Sequence, residues 1–339
     1  MKKRILGIVL TALLAFGVVG CISEPPATDP GDNAGELEEF SLVLDWYPNG
    51  IHSFLYTAME KGYFAEEGLE LKIQFPANTN DGISLPAVGQ ADAGIYYLRD
   101  AIMTSVDADV PVVSIGAVTQ TSLNVVIALE ESGIKEAKDL VGKKVGYAGT
   151  TISEAEIVSM LEDAGYSAED CEFVDVGFDL LTALTTKKVD ATIGNMANHE
   201  VPQLEKEGFA INYFYPKEFG TPDVYELVIL TGESTLEENP DKLKAFLRAC
   251  DKGFRDMQEN PDESLQILLD NQNAENFPLD ADVEAQSIQM VLPLMETADA
   301  KFLHQEVSVW QNNADWLYER GVISEPADVS GLVVNLSEE

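Results

Sequence analysis

Basic residues are scarce in this sequence, which has 21 Lys and Arg residues against 59 Asp and Glu residues and a formal net charge of −38. Nucleic-acid binding depends on Lys and Arg side chains that neutralise phosphates, and attraction to anionic lipid needs the same charge. The composition therefore excludes a nucleic-acid binder and a protein held on a membrane by electrostatics. We interpret the acidity as a solvated surface, which would suit a saline habitat because salt screens self-repulsion.

Cysteine and histidine are also rare, with three residues of each type. The histidines lie far apart, and no Cys/His cluster has the spacing of a metal site, so we expect neither a metal nor a cofactor. Cys171 and Cys250 could form a disulfide outside the cytoplasm. Their ordinary apolar neighbours and wide separation favour two unpaired, buried thiols instead.

Long apolar runs are confined to the N-terminus. Basic residues at positions 2–4 precede an apolar run over residues 5–19, which is too short and too terminal for a stable membrane span. This pattern is typical of an export signal. The run ends in Val18-Val19-Gly20-Cys21, which resembles a bacterial lipobox, in which cleavage exposes a cysteine that is then diacylated. An ordinary cleavage site or a buried cysteine is the alternative.

The segment after Cys21 favours lipidation, because residues 22–37 are rich in Pro, Gly, Asp and Glu and cannot build a core. We therefore predict a signal peptide over residues 1–20, a lipidated Cys21 and a flexible acidic tether over residues 21–38. Such a protein would be extracytoplasmic and anchored to the cell membrane only by its N-terminal lipid.

The rest of the chain is long enough for two lobes, since roughly 300 residues exceed the usual size of a single core. Strand patterns at 90–95 and 188–194 each end in aromatic or polar residues, a weak internal repeat. Apolar strands at 124–129 and 227–231 are expected to mark two crossings between the lobes. We predict an α/β protein in which residues 39–124 and 226–339 form lobe 1 and residues 125–225 form lobe 2.

The strongest signal of a site lies at residues 42–52, where an apolar strand runs through Trp46, Pro48 and Asn49 into a helix. Ligands bind at the carboxyl ends of strands in open α/β sheets, which makes Trp46, Asn49 and His52 candidate ligand-binding residues. The Trp46 indole could stack on a flat ring or plug the gap between sheet and helix. His52 could bond a ligand or merely cap and pack the helix start.

Three further groups of residues follow predicted strands or begin a helix. Tyr96 and Tyr97 end one strand, and alternation allows at most one of them to face a cleft. Asn195 and Asn198 end the corresponding strand of the second lobe and could make polar contacts. The remaining candidates are Thr150 and Thr151, which could receive an anion or merely cap a helix, together with Gln120 and Glu154.

The opening segment resembles a known family. Leu44-Asp45-Trp46-Tyr47-Pro48-Asn49 with His52, then Lys61-Gly62-Tyr63-Phe64 and Glu67-Gly68-Leu69, are similar to the signature of periplasmic solute-binding proteins for thiamine pyrimidine precursors. That branch is related to riboflavin, sulfonate and nitrate binders and to the fungal thiamine-pyrimidine synthases. The resemblance covers nearly all of residues 40–320, and the run from Pro222 to Val228 resembles the pyrimidine and flavin binders in particular.

The resemblance implies a two-lobed, type II periplasmic-binding-protein-like fold with a mixed sheet in each lobe. It implies a monomeric substrate-binding lipoprotein that captures a small planar heterocycle and delivers it to the permease of an ABC importer. A pyrimidine precursor of thiamine is the first choice of solute, with riboflavin or a sulfonate or nitrate-type solute as alternatives. Tyr225 and Glu226 join the candidate site, because a carboxylate can accept two N–H bonds from an aminopyrimidine edge.

A rival interpretation is an enzyme, since the related synthases use a pyridoxal phosphate cofactor on this scaffold. Where those synthases carry a lysine and a histidine after the strand at 90–95, this chain has Tyr96 and Asp100, and it lacks their cysteine-rich run. We therefore expect no enzymatic activity. A third interpretation, an acidic adhesin or chaperone-like lipoprotein, predicts no stabilisation by a small ligand.

Overall fold

The computed structural model describes residues 37–78, 80–177, 179–273 and 278–336. The predicted signal peptide, Cys21 and most of the predicted tether lie outside these ranges. Among the described residues, none of the helices combines the length and apolar character that crossing a membrane requires.

Within the described ranges the chain alternates strands and helices. The strands are β1 (Glu38–Val43), β2 (Leu69–Gln74), β3 (Ala93–Tyr97), β4 (Val112–Ala117), β5 (Asn124–Leu129), β6 (Lys144–Tyr147), β7 (Glu172–Asp175), β8 (Ala191–Met196), β9 (Ile211–Phe214) and β10 (Leu227–Gly232). The helices are α1 (Ser53–Glu60), α2 (Tyr63–Glu66), α3 (Asp81–Ala87), α4 (Leu98–Ala108), α5 (Thr151–Asp163), α6 (Leu180–Thr185), α7 (Glu200–Lys206), α8 (Glu233–Glu238), α9 (Pro240–Glu259), α10 (Pro261–Asp270), α11 (Ala281–Met295) and α12 (Val307–Glu319).

The strands form two mixed sheets. In the first sheet the order is β2-β1-β3-β10-β4, with β1 parallel to β2 and β3, and β10 antiparallel to β3 and β4. In the second the order is β7-β6-β8-β5-β9, with β6 parallel to β7 and β8, and β5 antiparallel to β8 and β9. The chain therefore passes from the first sheet to the second after β4 and returns before β10.

The first sheet is covered by helices from the chain's late part as well as its early part. Phe40 of β1 stacks on Phe246 of α9 with ring centroids 4.2 Å apart. Helix α9 also packs against α1 at Gly253, where an added Cβ would lie 2.7 Å from the Ala58 Cβ and closer still to a backbone oxygen. Because only glycine fits there, this helix pair is closely packed.

The structure bears out the predicted α/β class with two mixed sheets flanked by helices. Residues Glu36–Glu339 make one compact unit by their contacts, so the positions at which the lobes divide stay a prediction. Both Cys171 and Cys250 are free. Cys250 is buried as expected, whereas Cys171 is only partly buried, because it lies immediately before the edge strand β7.

Candidate binding site

The segment between β1 and α1 is held by its own hydrogen bonds. Asn49 caps the short 3₁₀ turn Gly50–His52, accepting from the Ile51 N–H at 3.2 Å. The Asn49 N–H donates to Nδ1 of His52 at 3.2 Å, so the ring proton lies on Nε2, which donates to Asp45 Oδ1 at 2.9 Å. Both nitrogens of the buried His52 ring are therefore engaged in shaping this segment.

Trp46 belongs to a row of three aromatic rings at the carboxyl ends of β1 and β2. Its side chain is 46% exposed, which rules out the alternative that it plugs the gap between sheet and helix. The Trp46 and Tyr47 rings meet edge to face at 5.6 Å, and Tyr47 meets Phe75 at 6.4 Å. Phe75 was not predicted as a site residue, although it directly follows an alternating strand pattern.

The two tyrosines at the end of β3 differ in their surroundings. Tyr96 is buried in a cluster with Ile83 and packs closely on Gly82, whereas Tyr97 is only partly buried. Burial raises the pKa of Tyr97 well above its ordinary value, and nearby carboxylates including Asp45 raise it further. Tyr97 is thus a neutral hydroxyl beside an acidic group of side chains, and Tyr96 packs within the core.

Asn195 near the end of β8 and Asn198 just after it are both buried, and their amide oxygens are unpaired among the described residues. Asn195 Nδ2 donates to Thr192 Oγ1 at 3.0 Å, and Asn198 Nδ2 donates to Ser287 Oγ at 2.9 Å. Their Oδ1 atoms have no hydrogen-bond partner among the described residues. Buried polar atoms are nearly always paired, so these two oxygens are candidates to accept hydrogen bonds from a ligand.

Helix α11 brings the two predicted segments together. Glu284 Oε2 accepts from the Gly50 N–H at 2.6 Å, and Glu284 Oε1 lies 3.8 Å from His199 Nε2. Ser287, the partner of Asn198, lies so close to Gly50 that a Cβ on that glycine would be 2.6 Å from its hydroxyl. The turn after β1 and the segment after β8 therefore meet on one face of α11.

Electrostatics favour the contact between His199 and Glu284. Burial raises the pKa of Glu284, and His199 opposes that rise. Burial alone would lower the pKa of His199, but its hydrogen bond to Glu200 and the nearby carboxylates raise it overall. Sequence reasoning missed Glu284 and Ser287 because both lie on a helix whose polar residues carry no motif.

Glu226 joins the two crossings between the sheets. Its Oε2 accepts from Ser122 Oγ at 3.0 Å, from the Leu123 N–H at 2.8 Å and from the Asn124 N–H at 2.9 Å. Within the described residues no hydrogen bond to Oε1 is found, which leaves one carboxylate oxygen for a ligand. The neighbouring Tyr225 accepts at its hydroxyl from the Glu306 N–H at 3.0 Å, so it anchors the crossing to the C-terminal region.

Two acidic side chains near Glu226 have raised pKa values. Burial raises the pKa of Asp100 to about 6, and the Glu226 charge contributes. Burial also raises the pKa of Glu156 to about 7; Arg99, its ion-pair partner, acts in the opposite direction, and Glu226 adds to the rise. The structure thus places Tyr97, Asp100, Glu156 and Glu226 in one acidic cluster between the sheets.

The remaining predicted residues lie apart from this cluster in the described contacts. Gln120 donates to the Lys301 and His304 carbonyls at 3.2 and 3.1 Å. Thr150 caps α5 by accepting from the Ser153 N–H at 3.2 Å, which agrees with the simpler of its two predicted roles. Thr151 is exposed in the first turn of α5, and Glu154 accepts a hydrogen bond from Tyr147. Asp223, at the second crossing, accepts from Thr121 and from the Ser122 N–H.

The described residues show no group of three or more His, Cys, Asp or Glu side chains suited to a metal ion. What they show is a set of aromatic rings and buried hydrogen-bond acceptors where two mixed sheets meet. Two such sheets joined by two crossings, with polar and aromatic side chains between them, define a two-lobed solute-binding protein.

The chain belongs to the family described as NMT1/THI5 like, which matches residues 49–264. It is 40% identical to the formylaminopyrimidine-binding protein of Halalkalibacterium halodurans, over 94% of this chain and 95% of that protein. It is 28% identical to the 4-amino-5-hydroxymethyl-2-methylpyrimidine phosphate synthase of Legionella pneumophila, over 67% of this chain and 72% of that one. The resemblance inferred from residues 44–69 is confirmed.

Solved structures agree on the fold. The alkanesulfonate-binding protein SsuA of Xanthomonas axonopodis pv. citri superposes with a TM-score of 0.67 at 13% identity, covering 89% of this chain and 99% of that one. The periplasmic aliphatic sulphonate-binding protein SsuA of Escherichia coli gives the same TM-score at 17% identity, over 87% of this chain and 96% of that one. The predicted two-lobed periplasmic-binding-protein fold is confirmed.

Proposed function

We propose that this protein is the solute-binding subunit of an ABC importer and that its solute is a pyrimidine precursor of thiamine, such as formylaminopyrimidine. The observation that carries the proposal is the 40% identity, over nearly the full length of both chains, to a protein named for binding that compound. Riboflavin and sulfonate or nitrate-type anions are the alternative solutes.

The chemistry of the site supports an aminopyrimidine. Such a ring offers N–H donors, and the site supplies oxygens that can accept them, namely Oδ1 of Asn195, Oδ1 of Asn198 and Oε1 of Glu226. A carboxylate acceptor gives the stronger hydrogen bond. The Trp46 indole offers a flat surface on which the ring would stack, a contact worth about 0.5–1.5 kcal/mol beyond burial. An anionic solute would instead meet the acidic cluster at Glu226, which disfavours sulfonate and nitrate.

Capture would close the two lobes over the solute. A ligand shifts a hinge equilibrium only if it binds the closed state better, so it must contact both sheets at once. Trp46 follows β1 and Tyr97 ends β3 in the first sheet, whereas Asn195 lies near the end of β8 in the second sheet and Asn198 follows that strand. The turn that follows Trp46 and the segment that carries Asn198 meet on α11, which supports a solute held between the two sheets.

We also propose that the protein is a carrier without catalytic activity, although synthases occur among its relatives. Tyr96 is a packing residue and Asp100 is an acid with a raised pKa, so neither supplies the amine that would bind pyridoxal phosphate. We further propose that the chain is exported, lipidated at Cys21 and monomeric, and that it delivers its solute to a membrane permease. The acidic composition suits an extracytoplasmic surface.

Calorimetry on the purified mature chain tests the proposal. Formylaminopyrimidine and 4-amino-5-hydroxymethyl-2-methylpyrimidine should bind and raise the free energy of unfolding by about 2.7 kcal/mol at a hundred times the Kd, which raises the thermal midpoint. Riboflavin and an alkanesulfonate serve as comparison solutes. Binding of one of these and of neither pyrimidine would overturn the assignment of the solute. Binding of none of the four, with no thermal shift, would favour the interpretation without a small ligand, and a cofactor absorbance band would favour an enzyme.

A further inference from the structure

A chain of hydrogen bonds, buried except at its last link, runs from α4, beside the first sheet, to the strand end that carries Asn195. Arg99 on α4 donates from Nη1 to Oε1 of Glu156 on α5, and both side chains are buried. Glu156 Oε2 accepts from Asn124 Nδ2 at 2.8 Å. Asn124, the first residue of β5, accepts with Oδ1 from the Gly194 N–H at 3.1 Å. The chain therefore ends at the backbone of the residue before Asn195.

Gly194 is the extra residue of a β-bulge. The pairing of β5 with β8 shifts from Val125 opposite Asn195 to Val126 opposite Ile193, so Gly194 has no partner of its own on β5. Its φ of +98° lies where residues other than glycine are strained. The Asn124 side chain accepts a hydrogen bond from the Gly194 N–H, which has no partner in the strand pairing. Bulges next to binding sites commonly re-aim a side chain, and Asn195 is the residue that directly follows this bulge.

Each link in this chain has a fixed direction. A backbone N–H only donates, so the N–H of Gly194 requires the Asn124 Oδ1 and leaves the Asn124 Nδ2 to donate to Glu156. Arg99 is fixed in turn by the first sheet's own helices, since Nε donates to Asn313 Oδ1 at 2.8 Å and the guanidinium lies 4.6 Å from the Trp316 ring centroid. Its Nη2 donates to the Pro222 carbonyl of the second crossing at 2.8 Å.

We propose that Arg99, Glu156 and Asn124 are positioning residues for solute binding, which fix the bulge at Gly194 and thereby the direction of the Asn195 amide. The proposal rests on the proposed function, in which Asn195 faces the solute. It adds that a buried charge pair bridging the two lobes sets the geometry of the second-lobe wall without contacting the solute itself.

The substitution Glu156→Gln tests this relay. It preserves the size of the side chain but places an NH₂ group against either Arg99 or the Asn124 amide, so one link must be lost. The matched control is Glu162→Gln on the same helix, because Glu162 also pairs with an arginine of the first lobe, Arg320, but does so in solvent. Two measurements are made on both variants: hydrogen exchange at the Gly194 amide without solute, and the Kd for formylaminopyrimidine.

In Glu156→Gln we expect exchange at Gly194 to accelerate about tenfold relative to the Ile193 amide, and the Kd to rise about tenfold to a hundredfold. Glu162→Gln should stay within about twofold of the wild type in both measurements, because exposed ion pairs contribute little. An unchanged Gly194 amide, an unchanged Kd, or an equal response in Glu162→Gln would each overturn the relay.

A second variant and a comparison of the two readouts cover the cases in which the first test fails. If Glu156→Gln fails to fold, Asn124→Ala removes the last link and is judged by the same exchange and Kd measurements. If the wild-type protein binds no pyrimidine, the proposed function fails, while exchange at Gly194 in the two glutamine variants still shows whether the relay exists. The failures of the two proposals are therefore distinguishable.

Discussion

Replacing Glu226 by glutamine should separate solute binding from hinge stability. Three donors converge on Oε2, two of them backbone N–H groups of the first crossing, whereas Oε1 has no partner among the described residues. The glutamine carbonyl can take over the Oε2 contacts, so we expect a loss of only about 1–2 kcal/mol from weakening charge-assisted hydrogen bonds. The amide NH₂ would then occupy the Oε1 position and present donors to the N–H groups of an aminopyrimidine.

The expected result is a Kd for formylaminopyrimidine at least about tenfold weaker, equivalent to about 1.4 kcal/mol. Isothermal calorimetry measures the affinity, and urea unfolding measures the stability. Ser122→Ala is the control, because it removes one donor to Oε2 and leaves Oε1 untouched; it should cost about 1 kcal/mol of stability without changing the Kd. If Glu226→Gln binds the solute as tightly as the wild type, Glu226 does not accept hydrogen bonds from it.

Three other predictions follow from the structure. The raised pKa values of Asp100 and Glu156 mean that the folded chain holds protons that the unfolded chain releases, so the free energy of unfolding should fall as pH rises from about 4 to 7. Thermal midpoints at pH 5 and 7.5 measure this fall, and equal midpoints would contradict it. Trp46→Ala should weaken solute affinity about tenfold at nearly unchanged stability, with the equally exposed Tyr166→Ala without effect. Gly253→Ala should destabilise the protein by about 2 kcal/mol or more in urea unfolding, and an unchanged midpoint would refute the close helix contact.

The site was predictable where chemistry follows a strand directly. Trp46, Asn195 and Asn198 are predicted from the polar and aromatic residues that end apolar strands, because the carboxyl ends of strands are where such sheets bind ligands, and their role in binding stays a prediction. The specific roles were less predictable. The backbone N–H of Asn49 donates to the ring of His52, and the Asn49 side chain caps the turn between them. The sequence allowed this local arrangement but did not require it.

The rotation between successive residues of a helix explains why one candidate carboxylate was preferred over its neighbour. Sequence reasoning selected Glu154 and passed over Glu156, only two residues away on the same helix. Two residues correspond to a rotation of about 200°, so the two carboxylates face nearly opposite directions. Glu154 accepts from Tyr147 within the second lobe, whereas Glu156 is buried against Arg99 of the first.

The sequence by itself determined the α/β class, the two crossings between sheets and the strand ends that carry candidate site residues, because apolar periodicity and turn residues act over a few positions. Only the tertiary structure decided which carboxylates are buried and what they touch. Gly50 and Glu284 are 234 positions apart, and Arg99 and Glu156 lie on helices of different sheets. Such pairs depend on how α11 and α5 pack, and packing is set by the whole core rather than by any local pattern.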